Sequence, residues 1–181
     1  MIYITSDFHL THENIIKYVG RFEQKITYQE YANKILNYLR SVLKKDDTLI
    51  YLGDLDCGPH KNIENLKRYF DLIPGKKIFI RGNHDKWLDD EDIHYIGFQK
   101  VCDIIKYKDI LICHYPLDEK SVIPKEAPAY LKRIDLTNIK KIYHGHVHNN
   151  WKTDCSDGIE RINCCIDRNP NEIGELIKLE I

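Results

Sequence analysis

The sequence lacks the features that would place it in a membrane or in an oxidising compartment. No apolar run approaches the ~18 residues that a membrane-spanning helix needs, and the first residues show neither a positively charged stretch nor a secretory cleavage site. The six cysteines form no C-x-x-C pair, so zinc-finger spacing is absent and reduced thiols are expected. We therefore expect a cytoplasmic protein without membrane contact.

An excess of one charge and low-complexity sequence are also missing. Lysine and arginine number 27 against 28 aspartates and glutamates, which gives a formal net charge of -1. Without a basic field, a broad nucleic-acid surface is not expected, and a nucleic acid would be only a small substrate. The length of 181 residues fits one globular domain, which we expect to span 1–181.

Short apolar runs occur along the whole chain, and in its first half they alternate with helical patterns. Strands are predicted at residues 2–5, 48–52, 77–81, 101–107, 110–113, 141–143, 159–166 and 176–181. Helices are predicted after Thr11, from Thr27 to Lys44, around 63–70 and near 129–134. Because parallel strands need such crossovers, the predicted fold class is α/β, and the later strands form a mixed sheet or two packed sheets.

Nine histidines are the unusual feature of the composition, and their placement is informative. Five predicted strands each lead into residue types that bind metals. The runs that follow these strands are Asp7-Phe8-His9, Gly53-Asp54, Gly82-Asn83-His84-Asp85, His114 and His144-Gly145-His146-Val147-His148. Since ligands bind at the carboxyl ends of strands in open α/β sheets, we expect these side chains to meet at one site.

The spacing within these runs supports a shared site. Residues i and i+2 of an extended segment point to the same side, so Asp7 and His9 can face one site, as can His146 and His148. Glycines that precede the potential ligands permit tight turns and close backbone approach. Each pattern alone is weak, but five at strand ends predict a metal centre.

These motifs, in this order, resemble those of the calcineurin-like metallophosphoesterase superfamily over residues 2–148. The run HLTHENIIKYVGRF and residues 163–170 also resemble a small prokaryotic and phage subgroup that has no capping domain. The resemblance implies an αββα sandwich of mixed β-sheets flanked by helices, in agreement with the strand pattern.

The resemblance further implies which residues hold two divalent metal ions. The implied ligands are Asp7, His9 and His148 for the first ion, Asn83, His114 and His146 for the second, and Asp54 for both. Oxygen and nitrogen ligands without thiolate suit Mn²⁺, which we expect, and also Fe or Zn²⁺. Two such ions clamp the attacking and leaving oxygens and acidify a bound water, so a metal-bridging hydroxide is the expected nucleophile.

Two further histidines have expected roles beside the metals. His84 is the expected general acid, because it titrates near neutral pH and can protonate the leaving oxygen. His12 follows Asp7-x-His9 in a short loop, where it could bind the substrate phosphate or be structural.

Other polar residues near the motifs are expected to be structural. His60 and His94 lie in polar loop segments, and His144 is left without a role. Asp85 is expected to satisfy the backbone of its own turn. Four arginines could contact a phosphate but are expected to be salt-bridged or solvated instead; they are Arg21, Arg81, Arg161 and Arg168.

The predicted function is a dinuclear metal-dependent phosphoesterase that hydrolyses phosphodiesters or small phosphorylated molecules. Proteins are not expected as substrates, because residues 53–59, GDLDCGP, depart from the Gly-Asp-x-x-Asp-Arg-Gly motif of the protein phosphatases that this superfamily includes. The alternatives are a phosphomonoesterase and, from a different class, a non-catalytic interaction module with the metallophosphoesterase fold. The full ligand set and His84 argue against the interaction module.

Overall fold

The computed structural model describes residues 1–57, 62–117, 129–150 and 157–180. The strands are β1 (Ile2–Thr5), β2 (Thr48–Tyr51), β3 (Lys76–Ile80), β4 (Lys100–Cys102), β5 (Ile104–Tyr107), β6 (Ile110–Cys113), β7 (Lys141–His144), β8 (Glu160–Asn163) and β9 (Ile177–Lys178). The helices are α1 (Glu13–Val19), α2 (Tyr28–Val42), α3 (Ile63–Asp71) and α4 (Asp90–Ile96), with 3-10 turns at Arg21–Gln24 and Ala129–Arg133. His60 and Cys155, for which a structural role and a reduced thiol were predicted, lie outside the described residues.

The first sheet has the strand order β4-β3-β2-β1-β9. Strands β1 to β4 are parallel and β9 pairs with β1 in the antiparallel sense. Ile4 lies beside Ile50, and Ile50 lies beside Ile78, so the carboxyl ends of these strands are level. Helices α2, α3 and α4 are the crossovers between successive parallel strands, as this topology requires.

The second sheet has the strand order β5-β6-β7-β8, in which β5 is the antiparallel member. The prediction of one strand over residues 101–107 is wrong. β4 pairs with β3 in the first sheet, whereas β5 pairs with β6 in the second, and Asp103 lies between them. This run contains neither glycine nor proline, and Asp103 is the one turn-favouring residue that marks the change of sheet.

The two sheets pack face to face through a buried apolar layer. Its members are Ile4, Ile50, Leu52, Ile80, Ile112, Tyr143 and Cys164. Helices α2, α3 and α4 cover the opposite face of the first sheet, where Leu39, Phe70 and Ile93 are fully buried. Leu131 of the second 3-10 turn packs on the outer side of the second sheet. The predicted αββα sandwich of mixed sheets flanked by helices is confirmed.

The helix ends show which local signals were informative. The Thr27 hydroxyl accepts from the amide of Glu30, and the Glu30 carboxylate accepts from the amide of Thr27, so the predicted capping box begins α2. Helix α4 was not predicted, although Asp89 and Asp92 form the same kind of box at its start. The segment near 129–134 is a 3-10 turn and not an α-helix. In the described ranges, no helix combines the length and the apolar composition needed to cross a bilayer.

Leu66 and Leu72 offer a matched test of this core. Leu66 of α3 is fully buried, whereas Leu72, just after the helix, is 51% exposed. Leu66→Ala should lower the free energy of unfolding by about 2–5 kcal/mol, because it leaves a cavity, and Leu72→Ala should change it by about 0.5 kcal/mol. Urea unfolding followed by circular dichroism measures both values. Equal losses would contradict the packing of α3.

Candidate metal centre

The carboxyl ends of strands from both sheets meet at one edge of the sandwich. The side chains at this edge are Asp7 and His9 after β1, Asp54 after β2, Asn83 and His84 after β3, His114 after β6, and His146 and His148 after β7. A bridge between Ser6 and Cys165 joins the two sheets at the same place. The site is therefore built where the two sheets come together.

Five of the predicted ligands have a left-handed backbone conformation. Their φ angles are 62° at Asp7, 49° at His9, 56° at Asp54, 73° at His146 and 50° at His148. This conformation costs roughly 1–2 kcal/mol for a residue with a Cβ, so it persists only where surrounding contacts hold it. Because five of the predicted ligands share this unfavourable conformation, the placement of their side chains, and not the local stability of the backbone, determines the backbone conformation at the site.

Two glycines allow the carboxylates to approach neighbouring backbone. A Cβ on Gly82 would lie 2.3 Å from Oδ1 of Asp54, and a Cβ on Gly145 would lie 2.4 Å from Oδ2 of Asp7. Both distances are far below van der Waals contact. The glycines before Asn83 and His146 are thus required by close packing against the buried carboxylates.

The first group of converging ligands consists of Asp7, His9 and His148. Their ligand atoms all lie within 4.8 Å of one another, and Asp7 and His9 are buried. Nε2 of His148 is 3.9 Å from Oδ1 of Asp7. Nε2 of His9 is buried and has no hydrogen-bond partner among the described residues, which is unusual for a polar atom and fits a metal ligand.

The second group consists of Asp54, His114 and His146, whose ligand atoms also lie within 4.8 Å of one another. Oδ1 of Asn83 is 2.9 Å from Nε2 of His114 and 2.9 Å from Nδ1 of His146. Nδ1–H of His114 donates to the carbonyl of Leu52 at 2.6 Å, so Nε2 is the ring nitrogen that faces the site. Four ligand side chains therefore converge on a second position.

Asp54 lies between the two groups. Its Oδ2 is 3.7 Å from Nε2 of His9 in the first group and 3.5 Å from Nε2 of His114 in the second. One carboxylate oxygen thus faces an imidazole nitrogen of each group. This geometry fits a carboxylate shared by two metal ions.

The electrostatics of the site fit cations as well. Burial, with the neighbouring Asp7 charge adding to it, raises the pKa of Asp54 to about 7. Burial lowers the pKa of His9 well below its usual value and lowers that of His146 to about 4. The other two histidines shift the opposite way: although burial opposes both shifts, Asp54 raises the pKa of His114, and the hydrogen bond to Asp167 raises that of His148. Carboxylates buried among imidazoles are groups that divalent ions can bind.

A buried network behind the first group orients His148. Nδ1 of His148 is 2.9 Å from Oδ2 of Asp167, so Nε2 is turned toward the site. Nε of Arg21 donates to the same Oδ2 at 2.8 Å, and its other nitrogens donate to the carbonyls of Asp7 and Phe8. Although burial opposes the shift, the Arg21 charge lowers the pKa of Asp167, which keeps this carboxylate ionised. Arg21 is fully buried in this ion pair and does not face a substrate.

Asp85 fixes the loop that carries Asp54. Its carboxylate accepts from the amide of Gly82 in its own turn at 2.7 Å, and also from the amides of Asp54 at 2.8 Å and Leu55 at 3.0 Å. The turn role predicted for Asp85 is therefore accompanied by a second role. Asp85 ties the loops after β2 and β3 to each other.

His84 and His12 lie beside the first group of ligands. The His84 side chain is exposed, and its ring centre is 5.5 Å from that of His9. The His84 amide donates to Oδ1 of Asp54 at 2.9 Å, which fixes the backbone next to the site. The His12 ring centre is 6.0 Å from that of His9, and His12 is half-buried.

Several residues around the site were not found from the sequence. Asp167 contacts His148, which is 19 positions away, and Cys57 contacts His9, which is 48 positions away, and no role was predicted for either residue. His144, left without a role, is buried in β7, where its Nδ1 is 2.9 Å from the carbonyl of Gly145. His94, expected to be structural, has Nδ1 at 2.8 Å from the carbonyl of Phe98, away from the site. For Asp167 and Cys57, only the contacts across the fold reveal their positions beside the site.

Comparison with known proteins identifies the family. The family model of calcineurin-like phosphoesterases matches residues 1–108. The uncharacterized protein MJ1445 of Methanocaldococcus jannaschii is 35% identical over 99 residues, which are 54% of each chain. The Gene 66 protein of Mycobacterium phage L5 is 24% identical over 164 residues, covering 81% of this chain and 76% of the phage protein. This chain thus spans about half the length of the archaeal relative.

A solved structure is similar over nearly the whole chain. The crystal structure of AQ665, a protein of unknown function from Aquifex aeolicus, is 33% identical, with a TM-score of 0.70 over 95% of this chain and 93% of that chain. The chain belongs to the calcineurin-like phosphoesterase family, and the resemblance of its motifs is confirmed. Members of this family use divalent metals, and family and ligand groups together support a metal-dependent phosphoesterase.

Replacement of Asp167 tests the network behind His148. Asp167→Asn keeps the size of the side chain but removes the charge that orients His148, so affinity for Mn²⁺ should fall by about 10- to 100-fold. Isothermal titration calorimetry of the metal-free protein measures this change. Asp46→Asn, at an exposed position, is the control and should bind Mn²⁺ like the wild type. Unchanged affinity in a folded Asp167→Asn protein would remove Asp167 from metal binding.

Proposed function

We propose that this protein hydrolyses phosphodiesters or small phosphorylated molecules, with diesters preferred over monoesters. The observation that carries the proposal is the position of Oδ2 of Asp54, within 3.7 Å of the first ligand group and 3.5 Å of the second. A shared carboxylate between two ligand groups is typical of dinuclear centres that cleave phosphate esters. A nucleic acid would be bound only as a small substrate, in keeping with the near-neutral chain.

Each side chain of the centre has a role in this proposal. The residues proposed to hold metal are Asp7, His9 and His148 for one ion, Asn83, His114 and His146 for the other, and Asp54 for both. When bound, two divalent ions supply positive charge to the phosphoryl oxygens and lower the pKa of a water. The mixed oxygen and nitrogen donors support Mn²⁺, with Fe or Zn²⁺ as the alternatives.

The two neighbouring histidines are proposed to act on the substrate. His84 donates a proton to the oxygen of the departing group, and its exposed ring at the edge of the centre supports this role. His12 contacts the phosphate from the side of the first ligand group. Both imidazoles lie next to His9, so a phosphate held at the centre would be within their reach.

The arginines support the preference for diesters. A monoester dianion carries one more negative charge than a diester. Arginine is the side chain suited to bind such a dianion through a bidentate contact. The four candidate arginines are all engaged elsewhere, Arg21 with Asp167, Arg81 with Asp90, Arg161 with Asp157, and Arg168 with the carbonyls of Cys165 and Glu175. The charge of the substrate would then be met mainly by the metals, which favours the singly charged diester.

Two chromogenic substrates test the proposed preference. With Mn²⁺ added, we expect a higher kcat/KM on bis-p-nitrophenyl phosphate than on p-nitrophenyl phosphate, because the diester presents one negative charge. Release of p-nitrophenolate measures both rates. A higher value on the monoester would make the protein a phosphomonoesterase, and no turnover with Mn²⁺, Fe or Zn²⁺ would favour the interaction module.

The role of His84 is tested by varying the departing group. His84→Asn should lower turnover of a diester with an alkyl leaving group by about 10²- to 10⁴-fold, because alkoxide needs a proton as it departs. The loss should be much smaller for p-nitrophenolate, which departs without one. Elemental analysis should find the same metal content as in the wild type. Equal losses on both substrates would contradict general-acid catalysis by His84.

A further inference from the structure

The thiol of Cys57 lies between two imidazoles beside the candidate metal centre. Its sulfur is 3.2 Å from Nδ1 of His9 and 3.0 Å from Nδ1 of His12. These three ligand atoms all lie within 4.8 Å of one another, and the Cys57 side chain is half-buried. The loop after β2 supplies the sulfur, and the loop after β1 supplies both histidines.

The spacing of these atoms is close to that of a metal site. Around a tetrahedral Zn²⁺, with bonds of ~2.3 Å to sulfur and ~2.0 Å to nitrogen, neighbouring ligand atoms are roughly 3.3–3.6 Å apart. The observed separations of 3.0 and 3.2 Å would need to widen by only a few tenths of an ångström.

We propose that Cys57, His12 and His9 form a metal site separate from the dinuclear centre. This soft-metal site takes a soft divalent ion such as Zn²⁺ or Cd²⁺. The donor chemistry distinguishes it from the neighbouring centre. Thiolate selects soft ions, whereas the oxygen atoms of Asp7, Asp54 and Asn83 suit Mn²⁺. Binding exchanges the thiol proton of Cys57 for the metal, so one proton is released to solvent.

His9 couples the soft-metal site to the centre. Its Nδ1 faces Cys57, and its Nε2 lies 3.7 Å from Oδ2 of Asp54. A neutral imidazole has one lone pair and one N–H, so His9 offers its lone pair through one nitrogen at a time. An ion in the soft-metal site therefore removes one ligand from the first group, and an ion in the first group weakens the soft-metal site.

The competing explanation is that Cys57 only makes hydrogen bonds. In that case, His9 Nδ1–H and the Cys57 thiol would form a chain to His12, and no ion would bond to the sulfur. A metal–thiolate bond distinguishes the two, because it produces a charge-transfer absorption in the ultraviolet that a hydrogen bond does not.

Titration of the metal-free full-length protein with Cd²⁺ tests the proposal. We expect a Cd–thiolate band that saturates at one equivalent in the wild type and is absent from Cys57→Ser and Cys57→Ala. Cys102→Ser is the matched control, since Cys102 is also half-buried. Cys165→Ser is a second control, because the Cys165 thiol contacts Asp7 at the neighbouring centre. Both should keep the band. His12→Asn should keep a band but need at least about tenfold more Cd²⁺, because the variant loses one of the three ligands.

Preloading with Mn²⁺ tests the shared ligand. The apparent Kd for Cd²⁺ at the band should rise at least about tenfold, because His9 is then held through Nε2. No band in the wild type, or an undiminished band in folded Cys57→Ser, would overturn the soft-metal site. An unchanged Kd after preloading would overturn the coupling through His9. None of these readouts depends on ester hydrolysis, so they are separate from a failure of the proposed function.

Discussion

The structure depends on two carboxylates buried where its two sheets meet. Asp7 is fully buried and Asp54 is 2% exposed, and burial of such groups without compensating charge is costly. Backbone amides offset part of this cost, because the Asp7 carboxylate accepts from the amide of His146 and the Asp54 carboxylate accepts from the amide of His84. Imidazoles surround the remaining lone pairs. Cations bound here would compensate the charge of the two buried carboxylates. The packing of the two sheets and the candidate metal centre therefore depend on each other.

The same constraint explains the irregular backbone at this edge of the sandwich. Regular strands carry the chain to the site, and left-handed residues then turn the ligands inward over one or two positions. Gly82 and Gly145 leave room for the carboxylates to lie against the neighbouring loops. Asp85 and the Arg21–Asp167 pair hold these loops from behind with charge-assisted hydrogen bonds. Local strain is thus balanced by contacts that only the assembled sandwich provides.

Much of the fold and of the candidate site could be predicted because the informative signals are local. Strand ends, the metal-binding residue types that follow them and the capping box of α2 can each be recognised within a few residues. The i and i+2 argument for Asp7 with His9 assumed an extended segment, whereas both residues have a left-handed backbone. The split between β4 and β5 was not predicted, because the one signal there, Asp103, also fits a solvent-facing position of a single strand. Asp167 and Cys57 were missed for a different reason. They lie in runs that the sequence singled out, but their contacts are with residues far away in the chain, and the sequence of those runs does not indicate such contacts.

The most direct test of the proposed dinuclear centre is anomalous diffraction from crystals grown with Mn²⁺. The account predicts two strong peaks roughly 3.5 to 4 Å apart, as in other two-metal sites. Both should bond to the Asp54 carboxylate, one also to His9 and the other also to His114. A single peak, or two peaks of which neither bonds to Asp54, would contradict the account.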